Sequence, residues 1–182
     1  AQEHPPSMRG TLVDSIVDED VPVRGDGIGR LEPGAQLGRF SVIRLLGAGG
    51  MGEVFLCHDP DLERDVAVKL LHARESASGG HAMRERLLRE ARAIAKLAHP
   101  NVISVHDVAV WNDRVFLAME FVPGVTLGRW VSELATDWRA IVEMFIQAGR
   151  GLTAAHRAGM IHRDFKPDNV LVGDDGRARV LD

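Results

Sequence analysis

A glycine-rich run, Gly-Ala-Gly-Gly-Met-Gly at residues 47–52, constrains the fold of this chain most, because strand-like segments flank it on both sides. Residues 40–46 and 53–58 have strand character, so the glycines form the tip of a predicted hairpin. In a dinucleotide-binding fold, G-x-G-x-x-G would open a helix instead. A tip without side chains can lie over phosphate groups and offer backbone N–H donors. The alternative is a simple glycine turn that binds nothing.

The remaining periodicity divides the chain into a strand-rich first part and a helical second part. Further strands are predicted at residues 65–71, 102–110 and 114–120. Residues 82–98 place apolar side chains at helical spacing, and His-Pro-Asn at 99–101 stops that helix. Residues 137–158 form the longest predicted helix, and a short hairpin is expected around residues 174–176. Strands first and helices later predict an α+β architecture in two unequal lobes.

Composition excludes several classes of function. The 182 residues are 45% hydrophobic, which is enough to form a hydrophobic core. The net charge of -4 gives no indication of a basic surface that would bind nucleic acid or an anionic membrane. No apolar run is long enough to span a bilayer. The single cysteine, Cys57, permits no internal disulfide and fits a reducing, cytoplasmic location. A lone cysteine in a strand is expected to be a small core side chain without chemistry.

The two ends of the chain differ from the middle. Residues 1–34 hold seven acidic and three basic residues with no sustained periodicity, so residues 1–38 are expected to form a disordered acidic tail or linker. Residues 39–182 are expected to fold. Because the chain begins with Ala1 and stops at Asp182 after an apolar run, we expect it to be a piece of a longer protein.

Lys69 stands inside an apolar strand, where an unpaired ammonium group would be costly. An edge-strand lysine that extends to water is the simplest interpretation. The alternative is a lysine that pairs with a carboxylate and a phosphate. Ala67 lies on the same strand face and leaves room for a flat ring. Glu90, on the predicted helix, is the candidate carboxylate, and Glu85 is its competitor.

A cluster of polar and charged residues lies between two apolar runs at residues 162–169, with the sequence His-Arg-Asp-Phe-Lys-Pro-Asp-Asn. An exposed loop can carry such charges for solubility alone, but the apolar flanks favour a partly buried polar site. There, Asp164 could orient a hydroxyl nucleophile, Lys166 could steady a transferred phosphoryl group, and Asn169 could bind a metal ion. Asp182 could supply the main metal carboxylate. Hard oxygen ligands of this type suit magnesium that is shared with phosphates.

Together these motifs resemble the catalytic domain of eukaryotic-type protein kinases, and the sequence is most similar in character to the bacterial members of that family. Residues 47–54 resemble the glycine-rich loop, residues 66–69 the strand-three lysine motif and residues 162–169 the catalytic loop, with Phe165 where leucine is commoner. Asp182 resembles the first residue of the D-F-G triplet. The resemblance covers about residues 40–182. It implies a bilobal fold with an N-lobe at 39–120, a hinge at 121–124 and the start of a C-lobe at 125–182.

The resemblance also implies ATP and Mg²⁺ as ligands, with a defined set of residues. Nucleotide binding falls to Gly47, Gly49, Gly52, Val54, Ala67, Lys69, Leu171 and the backbone of Glu120 and Val122. Catalysis falls to Asp164, Lys166, Lys69 and Glu90, and metal binding to Asn169 and Asp182. By analogy with the family, Val54, Ala67 and Leu171 sandwich the adenine ring.

The implied activity is that of a serine/threonine protein kinase, which transfers the ATP γ-phosphate to protein hydroxyls. Lys166, two residues after Asp164, resembles the serine/threonine class. Two alternatives stay open: a pseudokinase-like regulator that binds nucleotide without turnover, and a small-molecule kinase of similar fold. Residues that would hold a peptide lie beyond Asp182 in the family, so the chain by itself is expected to be inactive.

Thr11 is a candidate modification site in the acidic tail. Phosphorylated, and with Asp14 three residues on, it would resemble the sites that forkhead-associated domains bind. An unmodified linker threonine is the simpler interpretation, because short motifs match by chance.

Overall fold

The structure is a computed structural model that describes residues 31–72, 80–134 and 137–181, without the side chains of residues 80–84. Three sequence predictions fall outside the described residues: the tail at residues 1–30, Thr11 within it, and Asp182.

Six antiparallel strands form one sheet in the order β1-β2-β3-β4-β6-β5. Their bounds are β1 Gln36–Leu37, β2 Phe40–Gly49, β3 Gly52–Asp59, β4 Arg64–Leu71, β5 Val105–Trp111 and β6 Arg114–Glu120. Asn112 and Asp113 connect the last two strands with φ values of 46° and 62°. A two-residue hairpin loop with both φ values positive follows the natural twist of the strands, and Asn and Asp tolerate that conformation. The five strands predicted for this part of the chain are present, and their observed ends differ from the predicted ends by up to three residues.

The sheet buries a different apolar cluster on each face. In β4, Val66, Val68 and Leu70 point to one face, where they pack with Phe55 and Phe116. On the other face, Ala67 packs in a cluster with Leu46, Leu56, Leu117 and Met119. Helix α1 (Gly80–Ile94) covers this second face through Leu87, Leu88 and Ala91. Lys69 shares the face with Ala67, since it lies two residues further along the strand.

The second part of the chain packs a long helix against a small sheet. A short helix α2 (Leu127–Arg129) continues as a π-helical turn (Trp130–Leu134), and α3 spans Trp138–Arg157. Asp137 caps α3, because its carboxylate accepts a hydrogen bond from the Arg139 N–H at 3.2 Å. Strands β7 (Gly124–Thr126), β8 (Val170–Gly173) and β9 (Ala178–Val180) form the sheet. Leu127, Met144, Ala148, Val170 and Val180 lie in the core between them.

One predicted boundary differs from the structure. Residues up to 38 were assigned to the tail, but Gln36 and Leu37 form an edge strand that pairs with Ser41 and Phe40. The Leu37 side chain is fully buried in the first-face cluster. This strand could not be predicted from the sequence, because two residues show no periodicity and the burial of Leu37 depends on the sheet that the strand joins.

The apolar side chains of α3 are only partly covered. Met144 and Ala148 are buried, whereas Val142, Phe145 and Ile146 are more than two-fifths exposed. Within the described part of the chain, no helix is long and apolar enough to cross a membrane.

Cys57 provides a test of the core. Its side chain is fully buried in the first-face cluster, and burial raises the pKa of the thiol to about 12. At pH 8 the thiol therefore stays protonated and shielded, and the thiolate is the reactive form. We expect an aromatic disulfide reagent to leave the folded protein unlabelled and to label one thiol in denaturant. Rapid stoichiometric labelling without denaturant would contradict this packing.

Candidate active site

The glycine-rich hairpin has an open tip and a tightly packed base. Gly49 pairs with Gly52 across the turn, and a Cβ atom at Gly49 or Gly50 would meet no neighbour within 4 Å. At Gly52, in contrast, a Cβ atom would collide with the backbone carbonyl of Leu70 in β4. His72 Nε2 lies 2.9 Å from the Gly49 carbonyl oxygen and ties the tip to the end of β4. The tip thus has free space, while its base is fixed.

Lys69 is held in the middle of the sheet, beside the hairpin. Its cross-strand neighbours are Val54 in β3 and Leu117 in β6, and its own side chain is half-buried. Val54 packs against the second-face cluster that contains Ala67, and Val122 from the hinge packs there too. The structure therefore brings Val54, Ala67 and Val122 into one apolar surface next to the lysine.

The hinge leaves the sheet at Glu120. The Glu120 N–H donates to the Ser104 carbonyl at 2.8 Å, and the Glu120 carboxylate lies 3.3 Å from Arg179 Nε. After the hinge, β7 pairs with β8, where Leu171 is buried opposite Thr126. Leu171 thus belongs to the small sheet, whereas the other apolar residues predicted to line the adenine site belong to the large one.

The loop at residues 162–169 holds a strained backbone next to its central aspartate. Arg163 has a φ of 64°, in the left-handed region that a side chain of its size rarely adopts. The Asp164 N–H donates to the His162 carbonyl at 2.8 Å and closes this tight turn. Such strain costs on the order of 1–3 kcal/mol and persists where the surroundings fix it. The turn lies directly before Asp164, at the centre of this loop.

Two donors converge on the Asp164 carboxylate. Lys166 Nζ lies 3.3 Å from Asp164 Oδ2, and Asn169 Nδ2 donates to the same oxygen at 3.2 Å and to the Asp164 carbonyl at 2.8 Å. The Asp164 and Lys166 side chains are each about half exposed, so substrate could reach both. The three predicted residues of this loop are therefore one connected unit.

The end of β9 is bonded to this loop. The Leu181 N–H donates to the Asn169 carbonyl at 2.9 Å, and His162 Nε2 donates to the Leu181 carbonyl at 2.7 Å. Because a carbonyl oxygen only accepts, His162 carries its proton on Nε2. These bonds fix the residue that immediately precedes Asp182 at the edge of the loop.

The donor chemistry of Asn169 fits a magnesium ligand. Since its Nδ2 is engaged by Asp164, its Oδ1 is left as the acceptor, a hard oxygen of the type that Mg²⁺ prefers. Among the described residues no group of three histidine, cysteine or acidic side chains could hold a metal. Asp182, the other predicted ligand, lies outside the described residues.

Glu90 has an ion-pair partner on its own helix. Its carboxylate accepts a hydrogen bond from Arg86 Nε at 2.9 Å, and its side chain is 58% exposed. It borders a cavity of about 440 Å³ that Ile94 and His162 also line. On the same helix, Leu87 and Ala91 pack in the second-face cluster of the sheet. The pair between Lys69 and Glu90 stays a prediction.

Sequence reasoning missed residues that join the two parts of the molecule. Asn101 is buried, and its Nδ2 donates to the Ala178 carbonyl at 2.8 Å. A Cβ atom at Gly151, in the middle of α3, would collide with the Asn101 carbonyl. A glycine inside a long helix is unfavourable by about 1 kcal/mol, so it is a signal for close approach that the sequence does offer.

Comparison with known proteins identifies the family to which the chain belongs. Residues 40–182 match the family model described as "Protein kinase domain". The chain belongs to this family. The match begins at the first residue of β2 and includes the glycine hairpin, Lys69 and the loop around Asp164.

Several bacterial kinases are similar over most of this chain. It is 37% identical over 148 residues to the probable serine/threonine-protein kinase pknA2 of Bifidobacterium longum, covering 80% of this chain and 19% of that one. Identity is 41% over 148 residues with the serine/threonine-protein kinase pkn2 of Myxococcus xanthus, with 80% and 18% covered. The chain thus spans about a fifth of the length of these two relatives.

Solved kinase domains share the fold. The PknI kinase domain of Mycobacterium tuberculosis superposes with a TM-score of 0.71 at 30% identity, over 85% of this chain and 62% of that one. PpkA-294 in its apo form gives 0.73 at 22% identity, over 84% and 61%. A partial bilobal kinase fold, predicted from the motifs, is therefore confirmed.

The two glutamates of α1 allow a matched test of the register. In an enzyme with a complete kinase domain, we expect Glu90→Gln to lower kcat/KM about tenfold or more, because Lys69 then lacks its carboxylate during transfer. Glu85→Gln should stay within about twofold, since Glu85 lies on the preceding turn. Steady-state peptide phosphorylation measures both. A larger loss in Glu85→Gln would place the pairing one turn earlier.

Proposed function

We propose that this chain carries the nucleotide-binding and catalytic-loop part of a serine/threonine protein kinase, which transfers the γ-phosphate of ATP to protein hydroxyls. The observation that carries the proposal is the convergence of Lys166 and Asn169 on the Asp164 carboxylate. A carboxylate that is fixed but half exposed can accept a proton from an incoming hydroxyl. Family membership and the similarity to named serine/threonine kinases support the same activity.

Each residue of the proposed mechanism acts through position and charge. Asp164 orients the serine or threonine hydroxyl and accepts its proton as the oxygen attacks phosphorus. Lys166, 3.3 Å from that carboxylate, neutralises charge on the transferred phosphoryl group. Lys69 binds the other phosphates from the sheet, and backbone N–H groups of the hairpin at residues 47–52 cover them.

A site for adenine follows from the apolar surface beside Lys69. Val54 and Ala67 would contact one face of the ring, and Leu171 of β8 would contact the other. Backbone groups of Glu120 and Val122 would bind the ring edge. Asn169, with Asp182, would hold Mg²⁺, which when bound supplies positive charge against the phosphates.

An alternative is a nucleotide-binding regulator without turnover. It is less favoured, because Lys69, Asp164 and Asn169 are all present and the last two are in contact. A small-molecule kinase of similar fold would be distinguished by comparing a serine peptide with an aminoglycoside as acceptor. Since ATP is the proposed donor and Cys57 is an unpaired thiol, we place the reaction in the cytoplasm.

The chain has three lysines, which provide a test with its own control. In the enzyme with a complete kinase domain, Lys69→Met and Asp164→Asn should each lower kcat about 10²-fold or more, because each removes one preorganised charge or base. Lys96→Met, at an exposed position after α1, should change kcat less than about twofold. Transfer of labelled γ-phosphate to a serine peptide measures all three. If Lys69→Met or Asp164→Asn stays within a few-fold of the parent, the assignment is wrong.

We propose that the complete enzyme phosphorylates Thr11, whose hydroxyl must reach a kinase site to act as substrate. The phosphate would add a charge of about -1.5 to -2 and create an acidic motif with Asp14 for a forkhead-associated domain. Mass spectrometry after incubation with ATP and Mg²⁺ should show phosphate on Thr11. The Asp164→Asn variant, incubated alone, should remain unmodified. An unmodified Thr11 in an enzyme that phosphorylates its other sites would refute the proposal.

A further inference from the structure

The hairpin formed by β8 and β9 contacts the hinge at Pro123 and the residue that precedes the hinge, Glu120. The Asp174 N–H donates to the Pro123 carbonyl at 2.9 Å, and Arg179 Nε lies 3.3 Å from Glu120 Oε1. Between these contacts, Gly173 leaves room for the hinge, because a Cβ atom there would lie 2.9 Å from Val122 Cγ1 and 3.0 Å from Arg179 Nη1. The hinge therefore rests on the hairpin.

Arg179 makes the charged part of this contact. Its side chain is 11% exposed, and its Nη1 and Nη2 donate to the two oxygens of Asp175 at 3.0 and 2.7 Å. Its Nε forms an ion pair with Glu120, 3.3 Å from Oε1. The two hydrogen bonds from Arg179 lower the pKa of Asp175 to about 2, so the carboxylate stays charged at neutral pH. A planar guanidinium can bind in two directions at once, which a lysine ammonium does less rigidly.

Arg179 is also connected to the floor of the adenine site. It lies directly opposite Leu171 in the β8–β9 pair. Residues directly opposite in an antiparallel pair share a sheet face, so their side chains are neighbours. One guanidinium thus joins β9, beside Leu171, to the carboxylate of Glu120, the last residue of β6 in the large sheet.

We propose that Arg179, Asp175 and Glu120 form a hinge clamp, in which Arg179 is a positioning residue for nucleotide binding. The clamp rests on the proposed kinase function. It fixes the hinge backbone at one distance from Leu171 and thereby sets the width of the adenine slot before ATP arrives. Without it the slot must be ordered on binding, which weakens ATP binding. The transfer step depends on the loop around Asp164, and among the described residues no hydrogen bond or ion pair joins the clamp side chains to that loop.

Steady-state kinetics on the enzyme with its complete kinase domain separate these two effects. Glu120→Gln keeps the shape and the backbone of the hinge but removes the charge, and should raise KM for ATP about five- to tenfold while kcat stays within about twofold. Arg179→Gln should raise KM for ATP by a similar factor, and Arg179→Lys by a smaller one. The double variant that combines Glu120→Gln with Arg179→Gln should raise KM no more than the larger of the two single changes does.

Arg177→Gln is the matched control. Arg177 lies in the same hairpin, 60% exposed and 3.8 Å from Asp175, but among the described residues its side chain forms no ion pair with Glu120. Its loss of charge should leave KM for ATP within about twofold. Titration with a fluorescent ATP analogue should reproduce the order of affinities, and thermal melting shows which variants are folded.

The outcomes separate the clamp from the proposed function. If the parent enzyme binds no ATP, the proposed function and the clamp both fail. If it binds ATP and folded Glu120→Gln shows an unchanged or lower KM, the clamp alone is wrong. A fall in kcat without a change in KM, or an equal rise of KM in Arg177→Gln, overturns it as well. Should Arg179→Gln fail to fold, Glu120→Gln decides the question, because Glu120 is partly exposed and the substitution is isosteric.

Discussion

The peptide groups of Val180 and Leu181 carry the hydrogen bonds on which the candidate site depends. Four bonds of 2.7–2.9 Å reach them, two from the segment that follows α1 and two from the loop around Asp164. The partners are Asn101, Ile103, Asn169 and His162. Most of these groups are main-chain atoms, so the arrangement needs a continuous extended backbone more than particular side chains. It joins the large sheet, α3 and the catalytic loop at one point, and it sets where the chain reaches Asp182.

This joint explains how residues far apart in the sequence become one site. Lys69 is fixed from the sheet side by its cross-strand neighbours, and Asp164 is fixed from the loop side by Asn169. The end of β9 is bonded to the loop through Leu181, and the proposed hinge clamp would act on the hinge side of the nucleotide site. A phosphoryl-transfer site needs such fixed spacing, because catalysis relies on positioning and preorganised charge rather than on covalent chemistry by the protein.

The strands, helices and motif residues that follow from local sequence patterns could be predicted. Residues whose role depends on contacts with distant parts of the chain could not. Alternation and helical spacing located the large sheet and α3, and motif spacing located Asp164, Lys166 and Asn169 as a group. The edge strand at Gln36 was missed because two residues carry no period. Arg179 and Asn101 were missed because each acts through partners from another part of the chain. The surroundings of Glu90 also depend on how α1 sits on the sheet, which helical periodicity does not specify.

A crystal structure of the complete kinase domain with Mg²⁺ and a non-hydrolysable ATP analogue tests the central claim most directly, namely that this joint presents one nucleotide site. The account predicts adenine between Ala67 and Leu171, phosphates beneath residues 47–52, and the metal on Asn169 Oδ1. It also predicts that the bonds of Leu181 to His162 and Asn169 are unchanged. A nucleotide bound away from Lys69, or a metal that does not contact Asn169, would contradict it.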